Sequence, residues 1–182
     1  MQDIARRVAD LETRHGVKLE DLRENDEFVD VLLEATRVAL TTSKVEKREA
    51  LANAVVNTAL PSPIDDALRH MFLRYIDELT VPHIRLLRLF ADESSASIGI
   101  PFALQQAPLG AIYGLIEEKL PELRGRRTFY QLLWRDLRNR GLVTAENLAD
   151  VDIDQAFLPR RASDLGEQFL KFISSPPWQA MP

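Results

Sequence analysis

Apolar residues return every three or four positions through most of this chain, and most such runs are bounded by residues that start or stop helices. In residues 2–14 Ile4, Val8 and Leu11 share one stripe, and Gly16 ends the run. A second helix is predicted from Asn25 or Asp26, with Phe28, Val31, Leu32, Ala35, Val38 and Ala39 inward and the threonines and serine at 41–43 as its stop. Ser43 and Glu46 have the spacing of a capping box for a third helix, whose stripe is Leu51, Ala54, Val55 and Thr58. Ser62, as N-cap, and Pro63, in the first turn, open a fourth helix carrying Leu68, Met71, Phe72, Tyr75, Ile76 and Leu79. Short connections between such helices predict an antiparallel bundle over residues 1–79.

From residue 80 the pattern changes. Thr80 is placed to cap a fifth helix with Ile84, Leu87 and Phe90 inward, and residues 92–108 read as loop. A sixth helix carries Ile112, Leu115 and Ile116 and is stopped by Pro121. In the seventh, Thr128 and Gln131 form a capping box, Phe129, Leu132, Leu133 and Leu137 form the stripe, and Gly141 sits where a left-handed residue closes a helix. "GLVT" and "DQAFLPRRAS" then read as short β-like stretches around a loop. Ser163 caps a last helix with Leu165, Phe169, Leu170 and Ile173 inward, and residues 176–182 form a tail. Helix, helix, helix, strand, loop, strand, helix is the order of a winged helix-turn-helix domain, which would occupy residues 80–175 with 127–140 as its recognition helix. The fold expectation is therefore mostly α: an N-terminal helical bundle, then a winged-helix-like α+β region with a two-strand wing. An all-helical domain with an irregular end is the alternative.

Composition narrows the function classes. The chain has 182 residues, enough for its own core, and no cysteine, which removes disulfides and thiolate chemistry. Its longest apolar runs are too short for a membrane span, and the acidic amphipathic start does not read as a secretory signal, so the cytoplasm is expected. Net charge is −5, yet residues 124–140 hold six arginines against one aspartate. A duplex binder usually shows a broader basic face.

Catalytic and metal-binding patterns are sparse. There is no phosphate-binding glycine loop, nucleophile elbow or metal-spaced histidine pair, so no catalytic, cofactor or metal residues are assigned. Asp77, Glu78 and His83 could converge for acid–base work, but a polar helix corner explains them more simply. Asn53 and Asn57, four apart inside an apolar helix, suggest a polar lock on a neighbouring helix, or else a partner contact.

The basic stretch carries the sharper hypothesis. Gln131, Arg135 and Arg138 share the far side of the seventh helix, Arg124, Arg126 and Arg127 precede it, and Tyr130 and Trp134 make an aromatic ridge between its faces. Arginines with a polar side chain suit phosphates and base edges. Arginine is equally suited to pairing with carboxylates, of the acidic helices or of a partner, and the aromatic ridge suits protein packing better than a DNA groove. The candidate contact residues are thus Arg124, Arg126, Arg127, Gln131, Trp134, Arg135 and Arg138. A protein partner or a second copy is expected, and duplex DNA is the runner-up.

Four stretches, "KVEKREALANAVVNTAL", "FLRYIDELTVPHIRLLRLF", "FYQLLWRDLRNRGLV" and "ASDLGEQFLKFI", resemble uncharacterised bacterial proteins related to the abortive-infection alpha-type helical domains. The likeness lies in a Lys-Arg-x-x-Leu-x-Asn helix, a Leu-Thr-x-x-His corner and a closing Leu-Gly-x-x-Phe-Leu-x-Phe-Ile helix, and covers roughly residues 26–175. It implies an uncharacterised bacterial or phage-associated protein linked to phage defence, and brings no active site with it.

Overall fold

The computed structural model describes residues 18–91, 108–148 and 161–176. The expected helix at 2–14, the loop from 92 to 107, most of the second β-like stretch and the residues from 177 onward lie outside them. The described chain is mostly helical: α1 (Leu19–Arg23), α2 (Asp26–Thr41), α3 (Val45–Thr58), α4 (Asp66–Glu78), α5 (Val81–Ala91), α6 (Pro108–Lys119), a 3₁₀ turn (Pro121–Leu123), α7 (Arg127–Asn139) and α8 (Asp164–Ile173). No described helix is long and apolar enough to cross a membrane. Contacts divide the chain into two compact units, one running to Val81 and resuming at Gln168, the other Pro82–Glu167. The end of α8 thus belongs with the first unit rather than with the region that begins near residue 80.

In the first unit α2, α3 and α4 pack on one another. Asn25 starts α2 by accepting a hydrogen bond from the Phe28 amide at 3.0 Å, and Phe28, Val31, Ala35 and Val38 are buried. α3 is the central helix. Every residue from Ala50 to Val56 is buried, as suits a helix enclosed on all sides. Its enclosure explains the two asparagines. Asn53 Nδ2 donates to the Ile173 carbonyl at 3.0 Å, and Asn57 Nδ2 lies 2.8 Å from the Phe172 carbonyl and 3.0 Å from that of Ser174. These carbonyls are at the end of α8, where no intrahelical donor remains. α3 therefore caps the final helix, while Phe169 and Phe172 of that helix pack on Phe72, with ring centroids 5.4 and 5.7 Å apart.

Two expected caps are replaced. α3 is preceded by Lys44 with no side-chain cap, so Ser43 and Glu46 do not form the box. α4 starts later than Pro63 suggests: Asp65 accepts from the Leu68 amide at 2.8 Å, and Ser62 Oγ accepts from Ile64 within the preceding turn. A carboxylate at the positive helix end outcompetes a hydroxyl three residues upstream.

His70 of α4 joins α2 to α4. Its Nδ1 lies 3.0 Å from Glu34 Oε2, and its Nε2 3.4 Å from Asp66 Oδ1. The hydrogen bond to Glu34 raises the imidazole pKa above its ordinary value, partial burial opposes the rise, and the charges of Asp66, Glu34 and Asp30 add to it. A raised folded pKa contributes stability fully below about pH 6.5, the unfolded value, and loses it as pH rises through the folded value. The side chain is 40% exposed, so solvent screening holds the effect to about 0.5 kcal/mol. Urea unfolding of wild type and His70→Gln should differ by that amount at pH 5.5 and converge at pH 8.5. A difference that grows with pH would refute the pairing.

The second unit lacks the expected wing among the described residues. Val143 and Ala162 form an isolated antiparallel bridge, with no strand on either side of it. The reason is local: Leu142 serves the end of α7 and the start of α8, and Arg161 and Ala162 both donate backbone N–H groups to the Phe90 carbonyl at the end of α5. These backbone groups are engaged by helix ends, so they do not extend a ladder.

Candidate interaction site

α6 ends at Lys119, as Pro121 predicts, and the 3₁₀ turn leads to Gly125, whose φ of +70° favours glycine. α7 follows directly. The Arg126 carbonyl accepts from the Phe129 and Tyr130 amides at 2.9 and 3.2 Å, and no side chain caps the helix. The helix thus begins two residues earlier than the Thr128–Gln131 box requires, and that box is not formed. Its far end is as expected. Gly141 has φ +71°, the Leu142 amide donates to Leu137 at 3.0 Å and the Gly141 amide to Arg138 at 2.8 Å, which together make a Schellman close.

The buried stripe of α7 is Tyr130, Leu133, Trp134 and Leu137, not Phe129, Leu132, Leu133 and Leu137. Apolarity alone does not choose between these faces, but polar satisfaction does. Trp134 is 1% exposed, stands edge-on to Phe90 with centroids 5.1 Å apart, and donates through Nε1 to the Ala145 carbonyl at 3.3 Å. Tyr130 lies 3.5 Å from Glu117 Oε1 through its hydroxyl, and burial pushes its pKa up. Both aromatics find partners for their polar ends and can be buried. Trp134 is therefore held in the core by its polar end, and it also lies in the lining of the groove along α7.

Phe129, half-buried, and Leu132, 42% exposed, turn outward instead. With Tyr113 of α6 and Leu148 they give an apolar lining to a groove of about 850 Å³ along α7. Gln131, Arg135 and Arg138 line the same groove and are exposed. Leu148 is held by a buried arginine: Arg161 Nη1 donates to its carbonyl at 2.5 Å, and the guanidinium lies 5.7 Å from the Phe90 ring centre.

The arginines fall into two groups. Arg124 reaches the Glu117 carbonyl at 3.5 Å, Arg126 stacks 4.2 Å from the Phe129 ring centre, and Arg127 lies over Tyr113 and 3.9 Å from Glu117. These three brace the α6–α7 corner. Among the described residues Arg138 has Glu146 at 3.9 Å as its ion-pair partner and Arg135 has none. Gln131 is hydrogen-bonded to the Tyr113 hydroxyl at 3.2 Å.

His83 and Asp77 of the alternative acid–base set each have a partner within their own unit. His83 is buried with Nε2 3.5 Å from Asp136 of α7, while Asp77 lies 3.7 Å from Arg37 and accepts from Lys47 Nζ through its carbonyl at 2.7 Å. The groove is lined by the other side of α7 and does not include His83. Among the described residues no group of three or more His, Asp or Glu side chains could hold a metal. Comparison with known proteins gives no match: no family model, no curated protein and no solved structure aligns significantly with the chain.

Proposed function

We propose that the protein is a non-catalytic interaction protein whose α7 groove binds an acidic, amphipathic segment of a protein partner. The observation that carries this reading is the groove's mixed chemistry. Phe129, Leu132 and Leu148 offer apolar contact along one helix face, and Arg135 and Arg138 stand beside them with little carboxylate pairing. Apolar anchors flanked by arginines fit a helix that presents leucines at i and i+4 with glutamates between them. Apolar lining of this kind gives nothing to a phosphate backbone. The sequence resemblance to abortive-infection alpha-type domains supports phage defence as the process, in the cytoplasm.

Duplex DNA remains the second reading because Gln131, Arg135 and Arg138 share an exposed helix face. It is the weaker one. Arg124, Arg126 and Arg127 are occupied at the α6–α7 corner, Trp134 is buried, and the wing is reduced to one bridge among the described residues.

A fluorescently labelled helical peptide of leucines and glutamates tests the proposal by anisotropy. Wild type should bind it, and Leu132→Asp and Arg135→Glu should each weaken binding about 10-fold, or about 1.4 kcal/mol. Both side chains are exposed, so thermal unfolding should be unchanged. Equal affinity of all three proteins would overturn the groove as the site.

A further inference from the structure

Four large apolar side chains are exposed among the described residues, and three of them lie away from the groove: Leu33 at 64%, Leu40 at 73% and Val45 at 62%. Leu33 and Leu40 are on α2, on the side opposite its buried stripe. With Val29 and Thr36, both half-buried, they repeat at spacings of four, three and four. This is the seam of a coiled coil. α2 therefore has two apolar faces, one packed on α3 and α4 and one without a partner among the described residues.

We propose that this second face pairs α2 with α2 of a second copy, antiparallel, across a two-fold axis near Glu34 and Ala35. Charge selects this occupant and this direction. On the flank of the seam Asp26 and Asp30 lie toward the start of the helix and Arg37 toward its end, all three exposed. In an antiparallel pair the same flank of each helix meets its counterpart. Asp30 of each copy then stands opposite Arg37 of the other, and the two-fold makes the contact twice. Arg37 is available for this: its one ion pair among the described residues is with Asp77 at 3.7 Å, both side chains largely in water. A parallel pair would not bring these charges together.

A 16-residue helix is about 24 Å long. One such helix pair covers less than the roughly 1,200 Å² of a stable standard interface, so the dimer is a weak one with a dissociation constant in the micromolar range. This inference is independent of the α7 groove.

Sedimentation equilibrium of the full chain tests it. The mass should rise from 20.7 kDa at low micromolar protein toward twice that value at high micromolar protein. Leu33→Glu with Leu40→Glu should hold the protein monomeric throughout, with an unchanged helical circular dichroism spectrum. Arg37→Asp should weaken the dimer about 10-fold through like charges, and adding Asp30→Arg should restore it, because the exchanged pair is complementary again. The helical circular dichroism spectrum of Arg37→Asp should match that of wild type, which shows that the single variant folds. A wild-type mass that stays at the monomer value would overturn the proposal. So would undiminished dimerisation of the leucine variant, or failure of the double exchange to recover.

Discussion

Replacing Gly166 with alanine is expected to destabilise the protein by about 3 kcal/mol, the upper range for forcing extra volume into a packed site. Gly166 lies in the first turn of α8, where a Cβ would stand 2.1 Å from the Leu142 carbonyl oxygen and 3.1 Å from its carbon. The obstacle is backbone, and it is fixed. Leu142 closes α7 through its amide, and its carbonyl accepts from the Ser163 amide at 3.0 Å. Ser163 Oγ in turn accepts from the Gly166 amide at 2.9 Å, capping α8. Alanine would gain at most about 1 kcal/mol of helix propensity, too little to offset the clash. At about 2–4 °C per kcal/mol for a chain of this size, the melting temperature should fall by roughly 6–12 °C. Gly114 is the control: it lies in α6 with nothing within 4 Å of an added Cβ, so Gly114→Ala should be neutral or stabilising. Thermal unfolding of both variants side by side measures the contrast. A tolerated Gly166→Ala would mean that α8 does not approach Leu142 so closely.

Trp134→Ala is expected to cost about 3–5 kcal/mol, the range for truncating a large buried aromatic. The indole is fully enclosed, meets Phe90 edge-on and satisfies the Ala145 carbonyl. Trp134→Phe would keep the ring contact and forfeit the hydrogen bond, for about 1 kcal/mol plus the lost indole area. Chemical unfolding gives both values. The pair also separates a core role from a contact role. Trp134→Phe keeps an aromatic ring in the groove lining, so it should bind the acidic peptide with wild-type affinity despite its lower stability. A loss of affinity without a loss of stability would make the indole itself a contact.

These two sites show which parts of the fold are legible in sequence. Gly141 and Ser163 are read correctly because their conformation or side chain answers a local need: a left-handed residue after a helix, and an acceptor for the free amide of Gly166. The inner face of α2 is legible because Phe28, Val31, Ala35 and Val38 recur at helical spacing, although Leu32 and Ala39, expected beside them, are half-buried. The face of α7 is not. Phe129 and Leu132 are as apolar as Tyr130 and Trp134, and the choice rests on Glu117 and Ala145 being placed to receive the polar ends of the buried pair. Gly166 reads as a neutral helix residue until Leu142 is known to lie against it. Asn53 and Asn57 announce a polar contact within a core helix, but their acceptors are more than a hundred residues away in the chain. The β-like "GLVT" stretch is so only in its second half: Gly141 and Leu142 serve helix ends, while Val143 bridges to Ala162 and Thr144 donates to Arg161.

Of the residues proposed from sequence for contact, Gln131, Trp134, Arg135 and Arg138 line the groove, Arg124 and Arg127 brace its corner against α6, and Arg126 stacks on Phe129. Sequence missed the apolar half of the site. Phe129 and Leu132 were assigned to the core, and their exposure is what shifts the balance from a phosphate surface to a protein surface.

The most direct test of that balance is backbone amide chemical-shift mapping of one labelled sample, titrated in turn with the leucine–glutamate peptide and with a duplex DNA at low salt. The peptide should shift the amides of Phe129, Leu132, Arg135 and Leu148 together, and the duplex should leave α7 unmoved. Salt-sensitive shifts along α7 with the duplex, and none with the peptide, would contradict the protein-binding groove.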